Sequence, residues 1–424
     1  MEQSTYENYL WILKEELVPA LGCTEPIALA YAAAKAREVL GEFPESMKVW
    51  CSGNIIKNVK GVTVPNSNGL KGIEAAAILG AVGGDAPKEL EVLEAVTEEA
   101  IAQTIRLLKE GFCSCELAKG VENLYIRVTM AKGAHSSEVI LEKNHTHISR
   151  ICKDGAVIYE NPVQETKTER KGDKSLLDVR EILKFAEEVK LTDIEEVIGR
   201  QIRLNMAISD EGLQKPYGAE VGRTLLEVYG DDVVIRAKAR AAAGSDARMN
   251  GCPLPVVINS GSGNQGMTCS LPVIEFAKKL YASEETLYRA LVISNLIAIH
   301  QKKYIGSLSA YCGAVSAACG AGAAITWLYG GDYEAVSRTI TNTIANVGGM
   351  ICDGAKASCA AKIASAVDAA IMGHFLGNKN HCFQAGDGIV QDTVEKTIQS
   401  VGYIGKEGMK ETDLTILSLM IELC

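Results

Sequence analysis

Aromatic residues are scarce in this chain of 424 residues, where Phe, Tyr and Trp together make up 5% of the total. Glycine, with 40 residues, and alanine are abundant instead. Small side chains allow helices to approach one another closely, and glycine favours turns. The composition therefore predicts close helix–helix contacts and many turns, in a chain long enough for two or three domains with a substantial core.

Clusters of positive charge are also missing. The 43 Lys and Arg residues are spread evenly along the chain and are outnumbered by 53 Asp and Glu, which gives a net charge of −10. This balance argues against nucleic acid or an anionic membrane as the main partner. The first residues, Met1–Thr5, include no apolar run of the kind that a secretory signal requires. The sequence therefore predicts a cytoplasmic protein, and it leaves open whether the chain forms a homo-oligomer.

Closely spaced cysteine pairs of the Cys-x₂-Cys type are absent, although the chain holds 13 cysteines. Without such pairs, neither a ferredoxin-type cluster nor a structural zinc site is indicated. A chain of this length without a secretory signal is expected to keep its thiols reduced, and most free cysteines behave as small buried hydrophobic residues.

Three cysteines near the C-terminal end, Cys312, Cys352 and Cys359, lie among small residues. Three thiolates with no histidine beside them are what a [4Fe–4S] cluster needs if one iron is to stay open for substrate. A helix start at about Ala355 would let Cys352 and Cys359 turn toward one point, and Cys312 would come from a different helix. On spacing alone, three unrelated buried cysteines remain an equally valid interpretation.

The pattern of apolar residues divides the chain in two. Alternation of apolar and polar residues predicts an antiparallel meander over 124–152, and a strand is expected over 47–52 and helices over 6–18, 27–40, 71–83 and 88–110. The charged segment 161–174 is the predicted linker, and beyond about 175 nearly the whole sequence has helical periodicity. We therefore predict an α+β fold, in which an N-terminal α+β domain with an antiparallel sheet, residues 1–170, precedes a larger helical domain, residues 171–424.

No charged residue occurs from Tyr304 to Gly331, a stretch long enough to span a bilayer. It is dominated by Ala, Gly and Ser, however, and it contains two cysteines. This composition favours a helix buried in a helical core over a membrane span.

The turn Leu21-Gly22-Cys23-Thr24-Glu25-Pro26 precedes a predicted helix, which Thr24 can cap and whose first turn can accommodate Pro26. The N–H groups at a helix start lower the pKa of a cysteine there and can hold a carboxylate. The alternative is an ordinary capping turn with an incidental cysteine.

Three polar loops offer further candidate contacts. In Asn259–Gly266, three glycines allow N–H groups to converge on an anion, and the absence of Gly-Lys-Ser/Thr excludes a P-loop. Asn66-Ser67-Asn68 forms a similar polar loop. A loop predicted over 243–251 contains Asp246 and Arg248, which would form either an interior ion pair or a direct contact with substrate.

The Cys23 turn, the segments 243–249 and 261–266 and the three C-terminal cysteines, in this order and over nearly the full chain, together resemble the L-cysteine desulfidase family. Residues 300–375 also resemble the α-subunit region of the related iron–sulfur L-serine dehydratases. The spacing between Cys352 and Cys359 is shorter than in those dehydratases, and Cys-Thr-Glu-Pro stands where they have a Ser/His-rich loop. Both departures favour cysteine over serine as substrate.

The resemblance implies a lyase that uses a [4Fe–4S] cluster, held by Cys312, Cys352 and Cys359, to convert the small amino acid L-cysteine into pyruvate, ammonia and sulfide. Cys23 is expected to be the catalytic base, or alternatively the fourth ligand of the resting cluster. The residues expected to bind substrate are Thr24, Glu25, Asn66, Asn68, Ser262, Asn264, Gln265 and Gly266.

Three alternatives stay open at this point. An L-serine dehydratase would use the same cluster and base, and a thiol-rich binding or redox-sensing protein would have neither activity. The C-terminal Cys424 could also reach the cluster, as a cysteine tail does in some serine dehydratases.

Overall fold

The structure, a computed structural model, describes residues 1–22, 24–161, 172–306 and 309–422. It is 61% helical, with one small sheet in the N-terminal region and a helical C-terminal part. The predicted α+β class is therefore confirmed.

The N-terminal half mixes helices with strands. Its elements are, in order, α1 (Gln3–Glu16), β1 (Pro19–Leu21), α2 (Thr24–Leu40), β2 (Ser46–Cys51), α3 (Gly53–Val59), α4 (Ile73–Gly83), α5 (Glu98–Lys109), β3 (Cys113–Leu117), β4 (Tyr125–Lys132), β5 (His135–Glu142), β6 (Ile148–Lys153) and β7 (Ala156–Glu160). The helix predicted over 88–110 is confirmed only in its second half. A short 3₁₀ segment covers Ala86–Glu91, and α5 begins after Thr97, whose hydroxyl caps it by accepting a bond from Ala100 N–H at 3.3 Å.

Six strands form one sheet in the order β3-β2-β4-β5-β6-β7. Strands β4 to β6 are successive antiparallel neighbours, as the alternating pattern predicts, and β7 extends the meander by one further strand. Strand β4 buries every second residue. Strand β3, which the periodicity did not reveal, adds to β2 in parallel with Met47 opposite Cys113. The parallel pair is possible because α4 and α5 make the long crossover that such a connection requires.

Helices α2 and α4 cover the buried face of this sheet with small side chains. A Cβ atom at Gly80 would lie 2.2 Å from the carbonyl oxygen of Ala30, so the two helix backbones nearly touch. Ala28, Ala32 and the alanines around them are fully buried at this crossing. The scarcity of aromatic residues is thus matched by close approach of the backbones.

The C-terminal half is almost entirely helical. Its elements are α6 (Val179–Glu188), α7 (Leu191–Gln214), α8 (Val221–Tyr229), α9 (Val233–Met249), β8 (Pro255–Val257), α10 (Gly263–Lys279), α11 (Glu284–Ile305), α12 (Gly313–Leu328), α13 (Tyr333–Val347), α14 (Cys359–Asn378), α15 (Val394–Tyr403) and α16 (Lys410–Glu422), with one turn of π-helix at Ile404–Gly408. The loop predicted over 243–251 is wrong, because α9 continues to Met249. The small residues that suggested a loop are instead the buried face of this helix.

The uncharged stretch after Tyr304 forms α12, nearly all of whose residues are buried. It lies between α11, α13 and α14 in the larger hydrophobic core, as the composition indicates. Among the described helices, α14 alone is long and apolar enough to cross a membrane, and half of its apolar stretch is buried inside the protein.

The first helix, α1, packs against the C-terminal half of the protein, and the last helix, α16, packs against the N-terminal half. Tyr9, Ile12 and Leu13 of α1 are part of the C-terminal core, and β1 pairs with β8. Helix α16 packs on α3, where Asp413 forms an ion pair with the buried Lys57. The domain boundary between 170 and 171 stays a prediction, and most of the predicted linker 161–174 lies outside the described residues.

Gly266 provides a test of the packing that fixes the start of α10. A Cβ atom there would lie 1.9 Å from the carbonyl oxygen of Val257 in β8. The Gly266→Ala variant should lose about 1–3 kcal/mol of unfolding free energy from overpacking, which exceeds the gain of about 1 kcal/mol in helix propensity. Chemical denaturation measures the difference. Gly349→Ala is the control, because its Cβ would meet nothing within 4 Å; equal stability of both variants would contradict the close contact.

Candidate active site

A short antiparallel bridge between Tyr311 and Ile351 places Cys312 beside Cys352. The N–H group of each cysteine donates to a carbonyl of the opposite segment, at 3.0 Å for Cys312 and 2.6 Å for Cys352. The two thiols are themselves in hydrogen-bond contact. Two cysteines forty residues apart in sequence are thus held together by backbone pairing.

Cys359 joins them from the first residue of α14, where its thiol donates to the carbonyl of Gly354 at 3.6 Å. Gly354 has a φ of +92°, and a Cβ there would lie 2.1 Å from the carbonyl oxygen of Lys57. Only glycine fits this position, since a side chain would be strained and would push the Cys352–Cys359 turn away from α3.

The pKa values of Cys312 and Cys352 are shifted in opposite directions. The pKa of Cys352 is lowered, first because the Cys312 thiol donates a hydrogen bond to it, and also because of the positive charges of Lys57 and Lys356. The same hydrogen bond and burial raise the pKa of Cys312, and burial raises that of Cys359. Of the two thiols, Cys352 is therefore the one whose surroundings favour the thiolate.

The three cysteines line one cavity of about 940 Å³, a volume that includes the open space at its mouth. Several elements contribute its polar walls. These residues are Glu25 at the start of α2, Lys57 and Asn58 of α3, Arg248 at the end of α9, Ser262, Asn264 and Gln265 at the start of α10, Lys302 of α11, Tyr311, and Lys362 of α14. A second cavity shares the wall formed by Glu25, Asn58, Ser260 and Gly261 and extends toward His145.

Several buried polar atoms on these walls have no hydrogen-bond partner among the described residues: Gln265 Oε1, the Tyr311 hydroxyl and Arg248 Nε. A buried polar group without a partner costs about 1–3 kcal/mol. Burial also lowers the pKa of Lys302 to about 8, in opposition to the nearby Cys352 and Cys312. Such a lining is suited to a small ligand with both donor and acceptor groups.

Four of the predicted substrate-binding residues line the cavity: Glu25, Ser262, Asn264 and Gln265. Ser262 is the N-cap of α10 and accepts a bond from Gln265 N–H at 3.4 Å. Glu25 accepts from the hydroxyl of Thr24 at 3.2 Å and from Asn58 Nδ2 at 3.5 Å. Thr24 itself therefore reaches the cavity only through Glu25.

The other predicted residues are not brought there. Asn66 donates to the carbonyl of Leu93 at 3.0 Å, and Asn68 donates to Glu98 at 2.9 Å. Gly266 is buried against Val257. Cys23 and Cys424 lie outside the described residues, so the roles predicted for them stay predictions.

Asp246 and Arg248 do not form the ion pair that was one of the two expectations. Asp246 is fully buried and accepts from Gly222 N–H at 3.0 Å, at the start of α8. Arg248 points instead to the cavity, where its Nη1 donates to Asn264 Oδ1 at 3.5 Å.

The sequence did not single out Lys57, Lys302, Tyr311 or Lys362. Tyr311 was the easiest to find, because it precedes Cys312 directly. The lysines gave no such signal, since their positions depend on how α3, α11 and α14 pack. His300, twelve residues before Cys312, is fully buried and forms a hydrogen bond with Glu395 at 2.7 Å; it does not line the cavity.

Asp246 generates a prediction about pH. Burial raises the pKa of Asp246 from 3.8 to about 6. The neutral carboxyl therefore makes its full contribution to the unfolding free energy below about pH 4, and this contribution is lost as the pH rises through about 6. This shift corresponds to at most about 3 kcal/mol of unfolding free energy at pH 7. Asp246→Asn, which keeps an acceptor for Gly222, should be about 1–3 kcal/mol more stable than wild type at pH 7 and should lose this advantage near pH 4.

Denaturation at both pH values measures the effect of Asp246→Asn. Asp232→Asn, at the exposed start of α9, keeps a capping side chain and should change little. A stability gain that is the same at pH 4 and pH 7 would contradict the assignment to Asp246.

Comparison with known proteins identifies the family. A family model described as the serine dehydratase alpha chain matches residues 87–418. A UPF0597 protein of Lachnoclostridium phytofermentans is 60% identical over 416 residues, which cover 98% of this chain and 100% of the relative. UPF0597 proteins of Desulfitobacterium hafniense and Aeromonas hydrophila are 51% and 40% identical, each over 99% of this chain and 97% of the relative. The chain therefore belongs to the serine dehydratase alpha chain family, alongside the UPF0597 proteins.

Proposed function

We propose that this protein is a cytoplasmic [4Fe–4S]-dependent lyase that eliminates sulfide from L-cysteine and forms pyruvate and ammonia. Membership of the serine dehydratase family supports a lyase-type function. The observation that carries the proposal is the meeting of Cys312, Cys352 and Cys359 at one polar cavity. Its partner would be the small amino acid, with neither nucleic acid nor membrane, and a homo-oligomer stays open.

The donor set fits an iron–sulfur cluster in kind. Cys312, Cys352 and Cys359 would hold it, and the serine dehydratase family is associated with such clusters. Within the described part of the chain, no three His, Cys, Asp or Glu side chains already stand in the arrangement of metal ligands, and the Cys359 thiol donates a hydrogen bond to the carbonyl of Gly354. The positive charges of Lys57 and Lys356 favour the thiolate form of Cys352, and the thiolate is the form in which a cysteine binds a metal.

A [4Fe–4S] cluster held by these three cysteines would supply a Lewis acid for the departing thiol of the substrate. The chain's own groups bind and orient the amino acid. Ser262, Asn264 and Gln265 offer donors and acceptors at the start of α10, and Glu25 offers a carboxylate for the substrate ammonium group.

Cys23 is the proposed base that removes the α-proton. It stands in sequence between Gly22 and Thr24, two residues before Glu25, which lines the cavity. The elimination breaks the Cα–H and Cβ–S bonds and releases sulfide. The aminoacrylate product then hydrolyses to pyruvate and ammonia.

L-Serine is the second candidate substrate, since the family model that matches this chain is described by serine dehydratase. The short spacing between Cys352 and Cys359 and the Cys-Thr-Glu-Pro turn favour cysteine. A non-catalytic thiol-rich protein is the remaining alternative.

Replacement of the cysteines separates cluster binding from catalysis. The Cys312→Ala, Cys352→Ala and Cys359→Ala variants should each lose the iron and the broad absorbance near 400 nm of the anaerobically purified protein. Cys23→Ala should keep both and lose turnover by at least about 100-fold, the range expected for a general base. Full turnover by the Cys23 variant would refute its role as base, and Cys319→Ala, at a buried position away from the cavity, is the matched cysteine control.

Steady-state assays under anaerobic conditions decide the substrate. We expect kcat/KM to be higher for L-cysteine than for L-serine, measured as pyruvate formed from each amino acid. A higher value for serine would establish the dehydratase alternative. Purified protein that contains neither iron nor activity would favour the non-catalytic alternative.

A further inference from the structure

Arg248 is a buried cation without an anionic partner. Its side chain is at the end of α9, only 6% of the residue is exposed, and it lines the cavity of the three cysteines. Among the residues that the structure describes, its one hydrogen-bond partner is Asn264 Oδ1, at 3.5 Å, and Nε has none. Within the described residues, no carboxylate lies within ion-pair distance of its guanidinium group.

Other arginines on the same helix show how unusual this is. Arg236 and Arg240 both form ion pairs with Glu275, and Arg240 also pairs with Asp210. Arg248, the most buried of the three, has no such partner in the described part of the chain. Because a buried charge that is not compensated opposes folding, a cation in this position points to an anion that binds from outside the chain.

The surroundings of the guanidinium group are suited to a carboxylate. Gly263, the first residue of α10, packs so closely that a Cβ there would lie 2.5 Å from Arg248 Nε. At the start of α10, Gln265 N–H donates to the Ser262 hydroxyl and Gly266 N–H to the Ser262 carbonyl, which leaves the N–H groups of Gly263 and Asn264 without a carbonyl within the helix. A planar guanidinium beside a helix N-terminus offers converging donors, and paired N–H groups of arginine match the two oxygens of a carboxylate.

The charges that act on the cysteines come from elsewhere. Lys57 and Lys356 act on Cys352, and Lys356 and Lys362 act on Cys359. The thiols thus have their own cations, which leaves Arg248 for the ligand. At the same end of the cavity, Gln265 Oε1 is a buried acceptor without a partner.

We propose that Arg248 binds the α-carboxylate of the amino-acid substrate and that Asn264 positions its guanidinium group. This inference rests on the proposed function, whose site it shares, and it assigns a specificity: ligands must carry a carboxylate. A thiol compound that lacks the carboxylate binds without the help of Arg248.

Two small thiols that share the sulfur but differ at the other end provide the test. 3-Mercaptopropionate has a carboxylate and cysteamine has an ammonium group. Binding of each to the anaerobically purified, iron-loaded protein is measured by thermal shift and calorimetry, for wild type and for the Arg248→Met and Arg248→Lys variants. Arg223→Met is the control, because this surface arginine is paired with Glu220 away from the cavity.

In Arg248→Met, we expect the affinity for 3-mercaptopropionate to fall about 10- to 100-fold, while that for cysteamine changes less than about twofold. Arg248→Lys should recover part of the loss, because it keeps the charge without the planar pair of donors. The ligand-free Arg248→Met protein should have a Tm no lower than wild type and an unchanged iron content, since an unpaired buried charge has been removed.

A lower Tm in Arg248→Met, combined with an unchanged preference between the two thiols, would make Arg248 structural and overturn the inference. An equal loss of affinity for both thiols would overturn it as well. If the wild type binds 3-mercaptopropionate through Arg248 but forms no pyruvate from L-cysteine, the carboxylate site stands and only the proposed reaction fails.

Discussion

The candidate site depends on the short antiparallel bridge between Tyr311 and Ile351. Its two flanking backbone hydrogen bonds hold the start of α12 beside the turn that leads into α14, and so align Cys312 with Cys352. The third cysteine follows because Gly354, with its positive φ, allows the turn to lie directly on α3. Backbone geometry therefore assembles the thiols, and the lysines around them adjust their charge.

Close packing of small residues makes this arrangement possible. Helix backbones cross at Gly80 against Ala30, at Gly212 against Ala243 and at Gly320 against Ser294, with no room for a side chain. Helices that approach so closely leave little freedom to shift, because dense interiors transmit strain instead of absorbing it. The polar cavity thus lies within a rigid frame, and its unpaired groups remain exposed to a ligand because they cannot relax toward each other.

Much of this could be predicted from the sequence. The fold class, the antiparallel strands β4 to β6 and the buried α12 follow from periodicity and composition, and the order of motifs along the chain points to the family. The sequence predicts a polar loop over 259–266, and its second half is instead the first turn of α10. Its residues Ser262, Asn264 and Gln265 line the cavity. Strand β3 and the neighbours Lys57, Lys302 and Lys362 could not be found, because each depends on contacts between distant segments. Arg248 remained ambiguous for the same reason: only the bond from Gly222 to Asp246 shows that the two charges are not paired.

The contact between α16 and α3 has a consequence for the order in which the protein matures. Lys57, which lines the cavity and acts on Cys352, is paired with Asp413, near the very end of the chain. The ribosome therefore completes the N-terminal sheet long before it adds the residue that holds this wall of the site. This wall of the site can therefore form only after α16 has been synthesised and has packed on α3.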